Sequence, residues 1–138
     1  MLEVKIFTLY PDLFPGPLDI GIFKKAKQNK IWNLKVINIR DYSKDNHGTV
    51  DDTPFGGGSG MLLRPDILAS ALDKNIEKGE KIIYLSPRGK KFDQNVARSL
   101  SKEKNLNLIC GHFEGVDQRL IETRNIEEYS LGDFVLSG

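Results

Sequence analysis

The residues able to carry chemistry fall in four short stretches of the chain. In "GHFEGVDQR", Glu114 can meet a cation or accept a proton, and His112 beside it can shuttle protons. Both residue types are more often simply polar loop surface. Asp133 in "LGDFVL" can accept a hydrogen bond from a ligand or hold its own turn. Arg88, Lys90 and Lys91 in "SPRGKK" form a small basic patch that can touch a nucleic-acid backbone or stay solvated. Cys110 ends an apolar run and reads as a small core residue. Two histidines and one cysteine, dispersed, give no metal-ligand spacing. Taken singly, no residue compels a reaction.

The fourth stretch, "DDTPFGGGSGM" at 51 to 61, invites a phosphate-loop reading. A Walker loop needs Gly-x-x-x-x-Gly-Lys followed by Ser or Thr. Here Gly60 is followed by Met61, with no lysine nearby, and Asp51-Asp52 would repel phosphate. A dinucleotide fingerprint needs three spaced glycines in a first strand-to-helix turn. This loop is long and follows the second strand, so neither template fits. Its glycines instead suit a backbone that lies close to a ligand.

These stretches need elements to hold them. "LEVKIFTLY" and "WNLKVINIR" read as strands, and "KIIYLS" and "LNLICG" as shorter apolar ones. "PDLFPGPLDIGIFKKAKQNK" starts as a Pro/Gly loop and predicts a helix over 17–28, whereas 40–63 has no clear period. "RPDILASALDKNIEKG" predicts a helix with Pro65 in its first turn and Gly79 at its stop. "DQNVARSLSKEKN" predicts a helix capped by Asp93, "VDQRLIETR" a short helix, and "EYSLGDFVLSG" a strand-like segment with a turn. Strands alternating with helices give the α/β class, a mostly parallel sheet flanked by helices. "IIYL" and "LNLIC" suit strands buried on both faces.

In open parallel sheets ligands bind beyond the carboxyl ends of the strands. "SPRGKK", "GHFEGVDQR" and "LGDFVLSG" each follow a strand and contain a glycine or proline. Three such loops meeting at one edge would make a backbone-lined slot suited to a purine and ribose. Ordinary strand-to-helix turns have the same composition.

At 138 residues the chain fits one domain with a sizeable core, and 39% apolar with 28% charged residues is a globular balance. No apolar run reaches 18 residues, and the start lacks a signal-peptide core, so no membrane partner is expected. A single cysteine suits a reducing, cytoplasmic compartment. A net charge of +1 means any nucleic-acid contact is local or shared with a part outside the chain.

Taken together and in order, "DDTPFGGGSGM", "YLSPRGKKFDQ", "LICGHFEGVDQRL" and "EYSLGDFVLSG" resemble the bacterial tRNA (guanine-N1)-methyltransferases, members of the SPOUT class. "VKIFTLYPDLF" is similar to that family's opening strand and turn, so the resemblance spans essentially the whole chain. It implies an S-adenosylmethionine-dependent enzyme that methylates N1 of guanosine-37, just 3′ of the tRNA anticodon. It also implies an obligate homodimer and an α/β domain with a deep C-terminal trefoil knot. General topological rules disfavour such a knot, and only the resemblance suggests it.

Carried over, the cofactor slot would use Tyr84, Leu85, Ser86 and Pro87 from the first loop, and Gly111, Phe113, Glu114 and Gly115 from the second. Leu131, Gly132, Asp133, Phe134, Val135, Leu136 and Gly138 would supply the third, with Glu114 helping to balance the cofactor's charge. Pro87 and Phe113 would flank the target base, and Asp52, Gly57 and Gly58 would face the incoming anticodon loop. The resemblance places no catalytic residue here: the family's aspartate base and its arginine partner lie downstream of "LSG", as does the tRNA-binding C-terminal domain. Residues 1–138 are thus expected to be a cofactor-binding domain cut at its C-terminal end, with weak cofactor affinity and little or no activity alone. A non-catalytic, dimerising S-adenosylmethionine-binding module is the alternative. Ser59, Arg88 and His112 stand where the family commonly has proline, glutamine and arginine.

Overall fold

The computed structural model describes residues 1–43, 51–52, 62–110 and 115–132. The chain opens with β1 (Leu2–Thr8), whose last three residues, Ile6, Phe7 and Thr8, are buried on its two faces. Two 3-10 turns, Pro11–Leu13 and Gly16–Asp19, lead to α1 (Gly21–Gln28). The helix expected over 17–28 therefore starts late. Ile20 is extended and Gly21 has φ of +60°, a left-handed conformation that interrupts a helix but costs glycine little.

β2 (Trp32–Asn38) ends where the Asn38 side chain accepts the Arg40 N–H at 3.0 Å and starts a 3-10 turn over Ile39–Tyr42. Inside the stretch without period, β3 (Asp51–Asp52) pairs antiparallel with β4 (Leu62–Leu63). α2 (Pro65–Asn75) follows, with proline in its first turn, where the missing N–H is no loss. It buries Ile67, Leu68, Ala71 and Leu72, one helical stripe. Gly79 does not stop it, since Ile76 is already extended. Gly79, at φ +93°, makes the later turn into β5 (Lys81–Lys91). The expected cap holds at α3 (Gln94–Ser101), where Asp93 Oδ1 accepts the Val96 N–H at 2.9 Å. β6 (Asn105–Cys110), α4 (Gln118–Thr123) and β7 (Ile126–Ser130) complete the described elements.

The main sheet has the order β2-β1-β6-β5-β7, and every pairing in it is parallel. This is the predicted α/β class. Apolar residues on one face, including Phe7, Ile82, Ile109 and Ile126, join Ile67, Leu68 and Leu72 of α2 and Leu120 and Ile121 of α4 in the larger core. Ile83 and Leu106 point the other way, to Leu100 and Val96 of α3. The two inner strands expected to be covered on both faces are so covered.

One polar cluster crosses the larger core. Lys5 Nζ donates to the Asn75 carbonyl at 2.6 Å and lies 3.6 Å from Glu80 Oε1. Asn107, the cross-strand neighbour of Lys5, has no exposed surface and donates from Nδ2 to Glu80 Oε1 (3.3 Å) and the Lys81 carbonyl (3.0 Å). Asn75 Nδ2 donates to the Tyr42 hydroxyl at 2.7 Å, tying the end of α2 to the turn after β2. The cluster is satisfied on its donor side only, since the buried Asn107 Oδ1 accepts no hydrogen bond among the described residues.

Candidate functional site

Parallel strands release their carboxyl ends at one edge, and the sheet order makes three of them neighbours. β5 lies between β6 and β7, with Tyr84 opposite Ile109 on one side and Glu128 on the other. Tyr84, Cys110 and Ser130 therefore lie at or near neighbouring strand ends. Neighbouring strand ends are what a slot built from the three segments that follow them requires.

The first segment is not the strand-to-helix turn its composition suggested. β5 pairs with β7 through Leu85↔Tyr129, then resumes at Lys90↔Tyr129 and Lys91↔Ser130. Residues 86–89, "SPRG", are thus extruded as a bulge whose two ends meet the same tyrosine. The bulge is where an inner strand can carry Pro87, which has no N–H for a ladder. Ser86 is buried and its Oγ accepts the Arg88 N–H at 3.2 Å, while Pro87 and Arg88 are exposed. Gly89 is pressed on the backbone of β7: a Cβ there would lie 2.5 Å from the Glu128 carbonyl carbon and the Tyr129 nitrogen. Only a residue without a side chain permits that approach.

The third segment turns at Ser130, whose hydroxyl donates to the Gly132 carbonyl at 2.9 Å and accepts the Gly132 N–H at 3.3 Å. Leu85 is 48% exposed and Leu131 58%, so both loops present apolar side chains to solvent at this edge. After the second segment, Val116 is buried in the larger core and the Asp117 carboxylate accepts the Arg119 N–H at 2.8 Å, starting α4. The Arg119 side chain and backbone both donate to that carboxyl and hold its pKa below the usual range.

Of the expected site residues, Tyr84, Leu85, Ser86, Pro87, Gly115, Leu131 and Gly132 lie on these three segments. Asp52 lies in β3, paired with Leu62. Gly57, Gly58, Gly111, His112, Phe113, Glu114, Asp133, Phe134, Val135, Leu136 and Gly138 fall outside the described residues. Cys110, at the end of β6, has its thiol pKa pushed up by burial, which keeps it protonated and suits a packing role. Among the described residues no group of three or more His, Cys, Asp or Glu side chains could hold a metal ion. Nor is any helix there long and apolar enough to cross a membrane.

Two residues at this edge escaped the reading of the sequence. Gly89 reads in the sequence as a loop glycine, and nothing local distinguishes a turn glycine from one pressed on a neighbouring strand. Glu128 had a visible signal: two residues after the buried Ile126, strand alternation sends it to the core face.

The electrostatics centre on Tyr84. Burial raises its pKa above the ordinary 10.0, the charge of Glu128 raises it further, and Arg88 acts against both. Tyr129 is raised as well, by burial and then by the hydrogen bond its hydroxyl donates to Glu127 at 2.8 Å. A folded-state pKa above the unfolded one means the native state holds its proton longer. The associated stability is intact below pH 10.0 and is lost as pH rises through the folded values. Tyrosinate absorbance should therefore appear late in the native protein, and Tyr84→Phe should make the alkaline loss of stability less steep. An equally steep loss in that variant would contradict the assignment.

Fold and site thus define a parallel α/β protein with a candidate ligand slot beyond three adjacent strand ends. Residues 2–138 match the family model described as tRNA (Guanine-1)-methyltransferase TrmD, and the chain belongs to that family. A protein of Pelagibacter ubique (strain HTCC1062) named tRNA (guanine-N(1)-)-methyltransferase is 67% identical over 138 residues, which cover 100% of this chain and 60% of the relative. Proteins of the same name from Wolbachia pipientis wMel and Bartonella quintana (strain Toulouse) are each 47% identical, over 99% of this chain and 58% of their own length. The chain therefore spans about 60% of the length of the curated relatives it matches.

Proposed function

We propose that this chain is the cofactor-binding part of an enzyme that transfers a methyl group from S-adenosylmethionine to N1 of guanosine-37 in tRNA. The observation that carries this reading is the adjacency of the carboxyl ends of β6, β5 and β7 in a chain matched by the family over residues 2–138. The described edge fits such a cofactor. Exposed Leu85 and Leu131 offer apolar surface to a purine, and the Ser130–Gly132 turn brings backbone groups to the same edge. When bound, S-adenosylmethionine supplies an electrophilic methyl group on a sulfonium.

In this reading Tyr84, Leu85, Ser86 and Pro87 form one wall of the slot and Gly115 with Leu131 and Gly132 the other described parts. Gly111, Phe113, Glu114 and residues 133–138 complete it, and Pro87 and Phe113 flank the target guanine. Methylating N1 of a neutral guanine requires alignment of N1 with the methyl group, a base for the N1 proton and a cation where charge grows on O6. We assign the base and the cation to a segment downstream of residue 138, and the chain's own residues to binding and orientation. The reading includes a trefoil knot, a homodimer whose sites draw on both subunits, and a cytoplasmic location, where tRNA is found.

Calorimetric titration with S-adenosylmethionine tests the slot, with weak affinity expected for residues 1–138. Methylation of a tRNA transcript, read as N1-methylguanosine, tests turnover and should give little product with this chain alone. Robust product from these 138 residues would place the base within them and overturn the division proposed here.

A further inference from the structure

β7 carries two adjacent glutamates that strand alternation sends to opposite faces. Glu127 shares a face with Tyr129, accepts its hydroxyl at 2.8 Å and lies 3.6 Å from Lys81 Nζ. Glu128 shares a face with Ile126 and Tyr84, at the carboxyl end of β5, and Gly89 presses on its backbone from the bulge. Its Oε2 is buried and accepts no hydrogen bond among the described residues. Glu127 is thus a paired structural carboxylate, and Glu128 is not.

A sequestered carboxylate oxygen without a donor weakens a fold, and native proteins keep few of them. Asn107 Oδ1, on a neutral amide whose Nδ2 is bonded inside the core, is the other sequestered oxygen without a donor among the described residues. A sequestered charge without a donor is instead the kind of departure from stability rules that function retains. Glu128 is such a departure, beside the strand end that opens the slot. Its field reaches the Tyr84 hydroxyl, whose proton it helps to retain. Arg88, the cation that acts on the same hydroxyl, is exposed on the bulge and is not a hydrogen-bond partner of Glu128 among the described residues. The corner between the ends of β5 and β7 is therefore negative, partly desolvated and short of a positive partner among the described residues, an environment in which a charge-assisted contact to a ligand is strong.

We propose that Glu128 is a ligand-binding residue of the slot, pairing with a cationic centre of the bound methyl donor, either its sulfonium or its α-ammonium group. This rests on the reading that the slot takes S-adenosylmethionine. Glu128→Gln keeps the shape and removes the charge. Calorimetry with three probes separates the cases: S-adenosylmethionine carries both cationic centres, S-adenosylhomocysteine only the ammonium, and 5′-methylthioadenosine neither. The variant should bind S-adenosylmethionine about tenfold more weakly and 5′-methylthioadenosine as the wild type does. An equal loss for S-adenosylhomocysteine assigns the ammonium, and no loss assigns the sulfonium. The thermal midpoint of the ligand-free variant should be at or above that of the wild type, because a sequestered carboxylate oxygen without a donor is gone. Undiminished S-adenosylmethionine binding, an equal loss for 5′-methylthioadenosine, or a lowered midpoint would each overturn the pairing. Wild-type protein that binds none of the probes would instead overturn the S-adenosylmethionine reading itself, and the pairing with it.

Discussion

Gly89→Ala is expected to destabilise the protein by about 3 kcal/mol or more, at the upper end of what overpacking costs, and to abolish ligand binding at the slot. The three atoms nearest the added methyl group are all backbone atoms of β7, at 2.5 to 2.7 Å, so no side chain can swing aside. The outcome has to be a displaced β7, and with it a displaced Ser130–Gly132 turn. The φ of Gly89 lies outside the left-handed region, so the effect is steric contact rather than backbone strain. Gly79→Ala gives the contrast. Its Cβ would meet nothing within 4 Å, but its φ is +93°, and the expected cost is about 1 kcal/mol. Urea denaturation of the two variants separates the causes. If Gly89→Ala costs no more than Gly79→Ala, β5 and β7 are not in the close contact described.

Lys5→Met should cost about 3 kcal/mol, the low end for breaking a buried ion pair. Lys5 and Glu80 are 16% and 11% exposed, and Lys5 Nζ also satisfies the Asn75 carbonyl at the end of α2. Without the ammonium, Glu80 keeps the Asn107 amide on Oε1 and the Glu77 N–H on Oε2, but no cation within salt-bridge distance among the described residues. Adding Glu80→Gln to Lys5→Met should recover about 1 kcal/mol relative to the sum of the single changes, since the stranded charge is then gone. A strictly additive double-mutant cycle would show the two groups to be energetically independent.

Local signals made some of this legible in the sequence. Pro65 and the stripe of Ile67, Leu68, Ala71 and Leu72 define α2, and Asp93 caps α3, because both depend on residues a few positions apart. The apolar runs at 82–85 and 106–110 were readable as inner strands, although Leu85 turns outward at the site. The bulge at 86–89 was not readable. Pro87 and Gly89 mark a break in regular structure whether the chain turns into a helix or bulges and continues, and only β7, about 40 residues later, decides. The pairing of Asp51–Asp52 with Leu62–Leu63 escaped because two residues are too few to set a period. For the helix expected over 17–28, the periodicity ran through Ile20 and Gly21, whose backbone conformations end it. Glu128 was within reach of alternation, but its lack of a donor is a property of the packed protein alone.

The way residues 86–89 are pinned bears on recognition at this edge. Their flanking residues Leu85 and Lys90 both pair with Tyr129, and the Phe92 N–H continues the ladder to the Ser130 carbonyl at 2.8 Å. The entropy of closing this loop is therefore lost when the protein folds, not when a ligand arrives. A ligand resting against Ser86 and Pro87 meets a wall that is already ordered, so less of its contact energy is spent on immobilising the chain.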